Sequence, residues 1–93
     1  MAEDTRHLVT RGETYWLQLA TPRPLHERIR RKVIQRSLGT KSLAETKKER
    51  WIYVNGYKAA WEKALAEPTM TREEIEKLAA VEIERERKRQ KRI

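Results

Sequence analysis

Apolar and polar residues alternate along residues 7–11 and again along 14–20, which is the period of a strand with one buried face. Val9, Tyr15 and Trp16 also favour the pleated state. Gly12-Glu13 between the two runs fits a two-residue hairpin turn, with glycine supplying a positive φ. A turn of that length pairs Arg11 with Thr14, Thr10 with Tyr15 and Val9 with Trp16. Leu8, Thr10, Tyr15, Leu17 and Leu19 then share one face, and His7, Val9, Arg11, Trp16 and Gln18 share the other. The first set is the more apolar and is expected to pack on a helix. A turn one residue longer would exchange the faces of one strand relative to the other.

Thr21-Pro22-Arg23-Pro24 ends the second strand, because neither proline can donate to a ladder. Residues 25–31 read as a basic loop with room for one helical turn. A third strand is expected over residues 32–38, with Ile34 and Leu38 pointing one way and Val33, Gln35 and Ser37 the other. Gly39 turns the chain. Ser42 and Glu45 form a capping box that starts a helix running from Leu43 to about Ala66. Leu43, Thr46, Arg50 (by its stem), Val54, Tyr57, Trp61 and Leu65 make its apolar stripe, which Trp51 and Ile52 broaden. Gly56 lowers helix propensity by about 1 kcal/mol relative to alanine; it either permits a close approach of helix to sheet or is simply tolerated. Pro68 stops the helix. Thr71 and Glu74 cap a second one, from Arg72 toward Arg89, whose apolar positions Ile75, Leu78, Ala79, Val81 and Ile83 run out before the charge run Arg85–Arg92. The pattern therefore predicts an α+β domain over residues 1–66, a three-stranded antiparallel sheet on one long helix. Residues 67–93 read as a charged C-terminal helix, a linker or interaction segment.

Charge changes the picture. Twenty-two Lys and Arg stand against 14 Asp and Glu, a formal net charge of +8 on 93 residues. On so small a domain this balance points to a polyanionic partner, the other reading being a solvated surface that happens to be basic. Arg23, Arg28, Arg30, Arg31, Lys32 and Arg36 place much of the charge inside the folded region. The chain has no cysteine, so disulfides, cysteine-based zinc sites and cysteine nucleophiles are excluded. No apolar run approaches the roughly 20 residues that span a bilayer, and Met1-Ala2-Glu3-Asp4 lacks a signal-peptide core. An intracellular, non-membrane protein is expected.

The residues Leu8-x-x-Arg11-Gly12-x-x-Tyr15, then Pro22, then Ile34-x-x-Ser37-Leu38-Gly39-Thr40 and a Lys-rich helix form a pattern over about residues 6–66. It resembles the N-terminal arm-type DNA-binding domain of phage and prophage tyrosine recombinases (integrases). The resemblance implies a sheet whose open face enters the major groove of arm-type sites flanking the recombination core. It also implies a bacterial or phage-infected cytoplasm, at the nucleoid. Carried over by position, the open-face residues are Arg11, Trp16, Gln18, Gln35 and Ser37. Many relatives place arginine in the middle of the second strand, where this chain has Leu17-Gln18-Leu19-Ala20, so arginine readout is expected to be poorer here. The core-binding and catalytic domains of a recombinase do not fit in 93 residues. The chain is expected to be non-catalytic, either part of such an enzyme or a free-standing module.

Gln18 and Gln35 each carry a planar amide able to pair with adenine N6 and N7, against the plainer reading of solvent-facing strand polarity. Trp16 is placed to pack on a sugar or a thymine methyl, or to form a protein interface. Arg28, Arg30, Arg31 and Lys32 are placed to hold phosphates, which supply affinity without sequence information. Lys41, Lys47 and Lys48 lie at the start of the long helix, where N–H groups also attract anions, although Lys47 and Lys48 can pair with Glu45 or Glu49. His7 and His26 lack metal-ligand company, and no cofactor or nucleophile–base pair is recognisable. The expected partner is double-stranded DNA. The rival is a protein-interaction module that recruits or dimerises recombinase protomers or accessory proteins through Trp16, Val9 and the C-terminal helix. A single-stranded RNA binder is a third reading, but its sheet would offer more than one stacking aromatic.

Overall fold

The computed structural model describes residues 7–39 and 42–91, with side chains through Arg89. β1 (Leu8–Arg11) and β2 (Thr14–Ala20) form an antiparallel hairpin, and β3 (Val33–Ser37) adds to the far side of β2, giving the order β1-β2-β3. A 3-10 turn (Arg23–Leu25) and a one-turn helix, α1 (His26–Ile29), connect β2 to β3; α2 (Leu43–Ala66) and α3 (Arg72–Lys91) follow. The class is α+β, as the alternating pattern followed by helical spacing predicts.

The hairpin register follows from the turn. Gly12 takes φ +60°, and Arg11 faces Thr14, Thr10 faces Tyr15 and Val9 faces Trp16. Leu17 (0% exposed) and Leu19 (3%) consequently turn inward, where they join Leu25, Ile29, Val54, Trp61, Ala64 and Ile75 in one core. β3 is one residue shorter at each end than the sequence pattern suggests, although Leu38 N–H still donates to Tyr15 O at 3.1 Å before Gly39 turns at φ +66°. His7 departs from its expected place on the open face. It precedes β1 with φ 65°, and its ring meets Trp51 edge-on at 6.1 Å. The left-handed backbone breaks the strand alternation that would have kept it beside Val9.

The segment between β2 and β3 is more than a basic loop. Leu25 and Ile29, four residues apart on the turn of helix, are buried at 0% and 3%. Thr21 N–H donates to Lys32 O, closing the segment's two ends across the end of the sheet. A His26 ring nitrogen lies 2.8 Å from Thr21 O.

Ser42 caps α2 as expected, its hydroxyl accepting from Glu45 N–H while its carbonyl takes the N–H and hydroxyl of Thr46. Thr46, Arg50, Val54 and Trp61 are buried along the predicted stripe, and Tyr57 lies 5.7 Å from Trp61, ring centre to ring centre. Leu65 departs from it and is exposed. A second stripe, Gly56, Ala60 and Ala64, is buried instead. Small side chains at four-residue spacing let a neighbouring helix approach closely, and the neighbour is α3. This corrects the reading of Gly56 as a contact with the sheet: a Cβ there would sit 2.5 Å from Ile83 Cγ1 and 2.8 Å from the Ile83 backbone.

The helix read as a separate charged segment thus belongs to the fold. Ile75, Ala79 and Ile83 form a four-residue-spaced seam buried against α2, while Val81 faces out. Polar contacts extend the seam where apolar residues stop. Lys63 Nζ donates to Glu82 Oε1 at 2.8 Å, and Arg87 donates to both Glu49 oxygens at 3.0 and 3.1 Å and to Tyr53 Oη at 3.1 Å. Burial opposes the charge of Arg87, but Glu49 and Tyr53 outweigh it and raise its value.

Two expectations arise from this seam. Helix propensity favours Gly56→Ala by about 1 kcal/mol. The steric conflict is with the backbone of α3, which cannot swing aside as a side chain does, and overpacking of this kind costs about 1–3 kcal/mol. Gly56→Ala should lower the melting temperature, whereas alanine at exposed Asn55 should not. Thermal unfolding by circular dichroism decides the sign.

The second concerns acid. The hydrogen bond from Lys63 lowers the pKa of Glu82; burial opposes this, and the charges of Lys63, Arg85 and Arg89 reinforce it. A carboxyl whose folded value lies below its unfolded one stabilises the fold above the ordinary glutamate range. That contribution is lost as pH falls through the lowered folded value. The stability difference between the parent and Glu82→Gln should therefore be full at neutral pH and close on acidification below the ordinary glutamate value. Paired denaturant titrations across that range test it.

Candidate nucleic-acid interface

One face of the sheet carries the core. On the other, cross-strand pairing sets Trp16 beside Ser37 and Gln18 beside Gln35. Arg11, Gln18, Gln35 and Ser37 are exposed and Trp16 is half-buried. Arg11 projects from β1, its guanidinium carbon 4.9 Å from the centre of the Trp16 ring, and donates to Gln35 Oε1 on β3. Gln35 Nε2 donates in turn to Gln18 Oε1 at 3.1 Å. Ser37 Oγ accepts from Gly39 N–H at 3.2 Å. The sequence-predicted open-face residues thus form one array across three strands, which reading along the chain could not show. A hollow of about 330 Å³ adjoins it, bordered by His7, Leu8, Val9, Gln18, Ala20 and Val33.

The basic segment divides. Arg30, Arg31 and Lys32 are exposed at the end of the sheet where Ala20 pairs with Val33. That end lies about 13 Å from the Trp16–Ser37 pair, at about 3.3 Å per residue over four residues. Arg30 sits at φ 62° as the left-handed cap of α1. Arg31 stands at the sheet edge, bordering a hollow of about 360 Å³ floored by Ile34, Tyr57, Trp61 and Ile75. Arg28 corrects the phosphate reading. Its guanidinium donates to Ala64 O at 2.7 Å, Glu67 O at 2.8 Å and Met70 O at 2.7 Å. It satisfies carbonyls in the last turn of α2, at its C-cap and in the loop that follows, where a cation is also favoured by the helix dipole. A residue committed to three backbone carbonyls has few donors left for a phosphate.

Lys41 lies outside the described residues. Arg36, part of the basic count but not of the expected site, reaches to the helix side and lies 4.7 Å from the Tyr53 ring centre. Its strand parity, shared with Ile34, was the signal. Among the described residues no group of His, Asp or Glu is arranged to hold a metal ion, and no helix is long and apolar enough to cross a membrane.

The fold and this face define a small α+β domain in which, among the described residues, one sheet surface packs on no helix and carries Arg11 with a row of polar side chains. Residues 7–66 match the family described as a domain of unknown function, DUF6538. The match covers most of the chain, and the protein belongs to that family. No curated protein and no solved structure matches the chain at a significant level.

Proposed function

We propose that this domain binds double-stranded DNA with sequence preference, laying the open sheet face in the major groove. In this reading it is the arm-site-binding, non-catalytic part of a tyrosine recombinase, working at the nucleoid. The observation that carries the DNA-binding reading is the continuous array of Arg11, Gln35 and Gln18, with Arg11 lying over Trp16, on a chain of net charge +8. Two strand spacings put the axes of β1 and β3 about 10 Å apart, comparable to the major-groove width of about 12 Å, so side chains projecting from the open face can reach base edges along the groove. Arg30, Arg31 and Lys32 then meet the phosphate wall beyond Ala20 and Val33. The recombinase role rests on the motif resemblance around Arg11-Gly12 and Ser37-Leu38-Gly39.

A fluorescence-anisotropy titration of a mixed-sequence duplex tests the binding. The expected result is tight association at about 50 mM salt and a steep loss by about 200 mM, from release of condensed counterions. A chain that leaves duplex DNA unbound at the lower salt overturns the reading. Self-association without DNA binding would favour the protein-interaction alternative.

A further inference from the structure

The hydrogen bonds of the open face have a direction set by chemistry. An arginine side chain can only donate. The Arg11 contact therefore requires the Gln35 oxygen to be the acceptor, which turns the Gln35 NH₂ toward Gln18. Only an oxygen can receive it there, and this turns the Gln18 NH₂ away from the relay. Ser37 Oγ already accepts from Gly39 N–H. Each of the three side-chain acceptors in the array thus carries an internal hydrogen bond. What remains outward is weighted toward donors: the other N–H groups of Arg11, the second N–H of Gln35, the NH₂ of Gln18 and the hydroxyl hydrogen of Ser37, against one spare lone pair on each oxygen already engaged. Polarisation along such a chain strengthens its end donors.

The four bases present different major-groove patterns. Guanine offers two adjacent acceptors, O6 and N7. Adenine offers an acceptor beside a donor, cytosine a donor, and thymine an acceptor beside a methyl. The adenine pairing expected for Gln18 and Gln35 needs an outward donor and an outward acceptor from one amide. The relay engages the oxygen of each and fixes the amide orientation, so neither is free to turn its oxygen and NH₂ together toward one base.

We infer that the Arg11–Gln35–Gln18 relay makes the open face a reader of guanine edges, with Arg11 held by Trp16 and Gln35 for O6 and N7. This rests on the proposed duplex binding. Gln35 is a positioning residue here, since it acts through Arg11. Arg11→Ala does more than remove a charge: it releases the Gln35 oxygen, so the face regains an acceptor and adenine becomes acceptable.

The test is selection of duplexes from a library with a randomised central segment, using the full chain at about 50 mM salt, followed by affinity measurement on the enriched duplex. Enrichment should centre on guanine. Replacing that guanine by 7-deazaguanine, which keeps base pairing and loses the N7 acceptor, should weaken binding about tenfold. Arg11→Ala should lose the guanine preference, with its melting temperature unchanged because the side chain is exposed. Enrichment of adenine by the parent chain, no base preference, or indifference to 7-deazaguanine overturns the inference while leaving duplex binding intact. Failure to retain any duplex overturns both.

Discussion

Leu17→Ala should destabilise the domain by about 3 kcal/mol, the cost of removing a fully enclosed leucine and leaving a cavity, while Gln18→Ala should leave stability within about 0.5 kcal/mol. The two residues are adjacent, yet one is 0% exposed in the core and the other lies on the open face. The difference between them is the strand alternation set by the Gly12 turn. On DNA the order reverses. Gln18→Ala should cost about 1–3 kcal/mol on the preferred duplex and little on random sequence, whereas Leu17→Ala should change affinity only as far as it unfolds the chain. Denaturant titrations and duplex affinities for both variants are the measurement. A stable Leu17→Ala together with an unfolded Gln18→Ala would mean that the faces are exchanged.

Replacing Arg30, Arg31 and Lys32 together by alanine should weaken binding to every duplex alike. If all three meet phosphate, the slope of log affinity against log salt should flatten by about 2.7, at about 0.9 for each cation. The loss at moderate salt is then on the order of tenfold to a hundredfold, with base preference unchanged, because phosphates position a protein without specifying sequence. Arg28→Ala is the contrasting variant. It removes three hydrogen bonds to the end of α2 and the loop after it and should lower stability by about 2 kcal/mol, with little change in the salt slope. A triple variant that binds as tightly as the parent at every salt concentration removes the loop from the interface.

Only the assembled sheet brings the relay together. Arg11, Gln18 and Gln35 were each placed on the open face by strand parity, but their contact runs diagonally over Trp16 across all three strands. The direction of hydrogen bonding, on which the proposed base preference rests, is encoded in no local pattern.

Local chemistry was sufficient for the elements themselves. The two-residue turn at Gly12, the hydroxyls of Ser42 and Thr71 and the stop at Pro68 act within a few residues of where they stand. Register and face followed from them, because side chains in a regularly paired strand alternate once the pairing is set. What the sequence alone left open depends on partners distant along the chain. Leu25 and Ile29 looked like loop residues because one helical turn is too short to show a period. Arg28 resembled its basic neighbours, since nothing local marks the carbonyls 36 to 42 residues away that it caps. α3 looked solvated because charge dominates its composition. The tertiary structure decided otherwise, because Gly56 has no Cβ to keep Ile83 away and because Glu49 and Lys63 stand opposite Arg87 and Glu82.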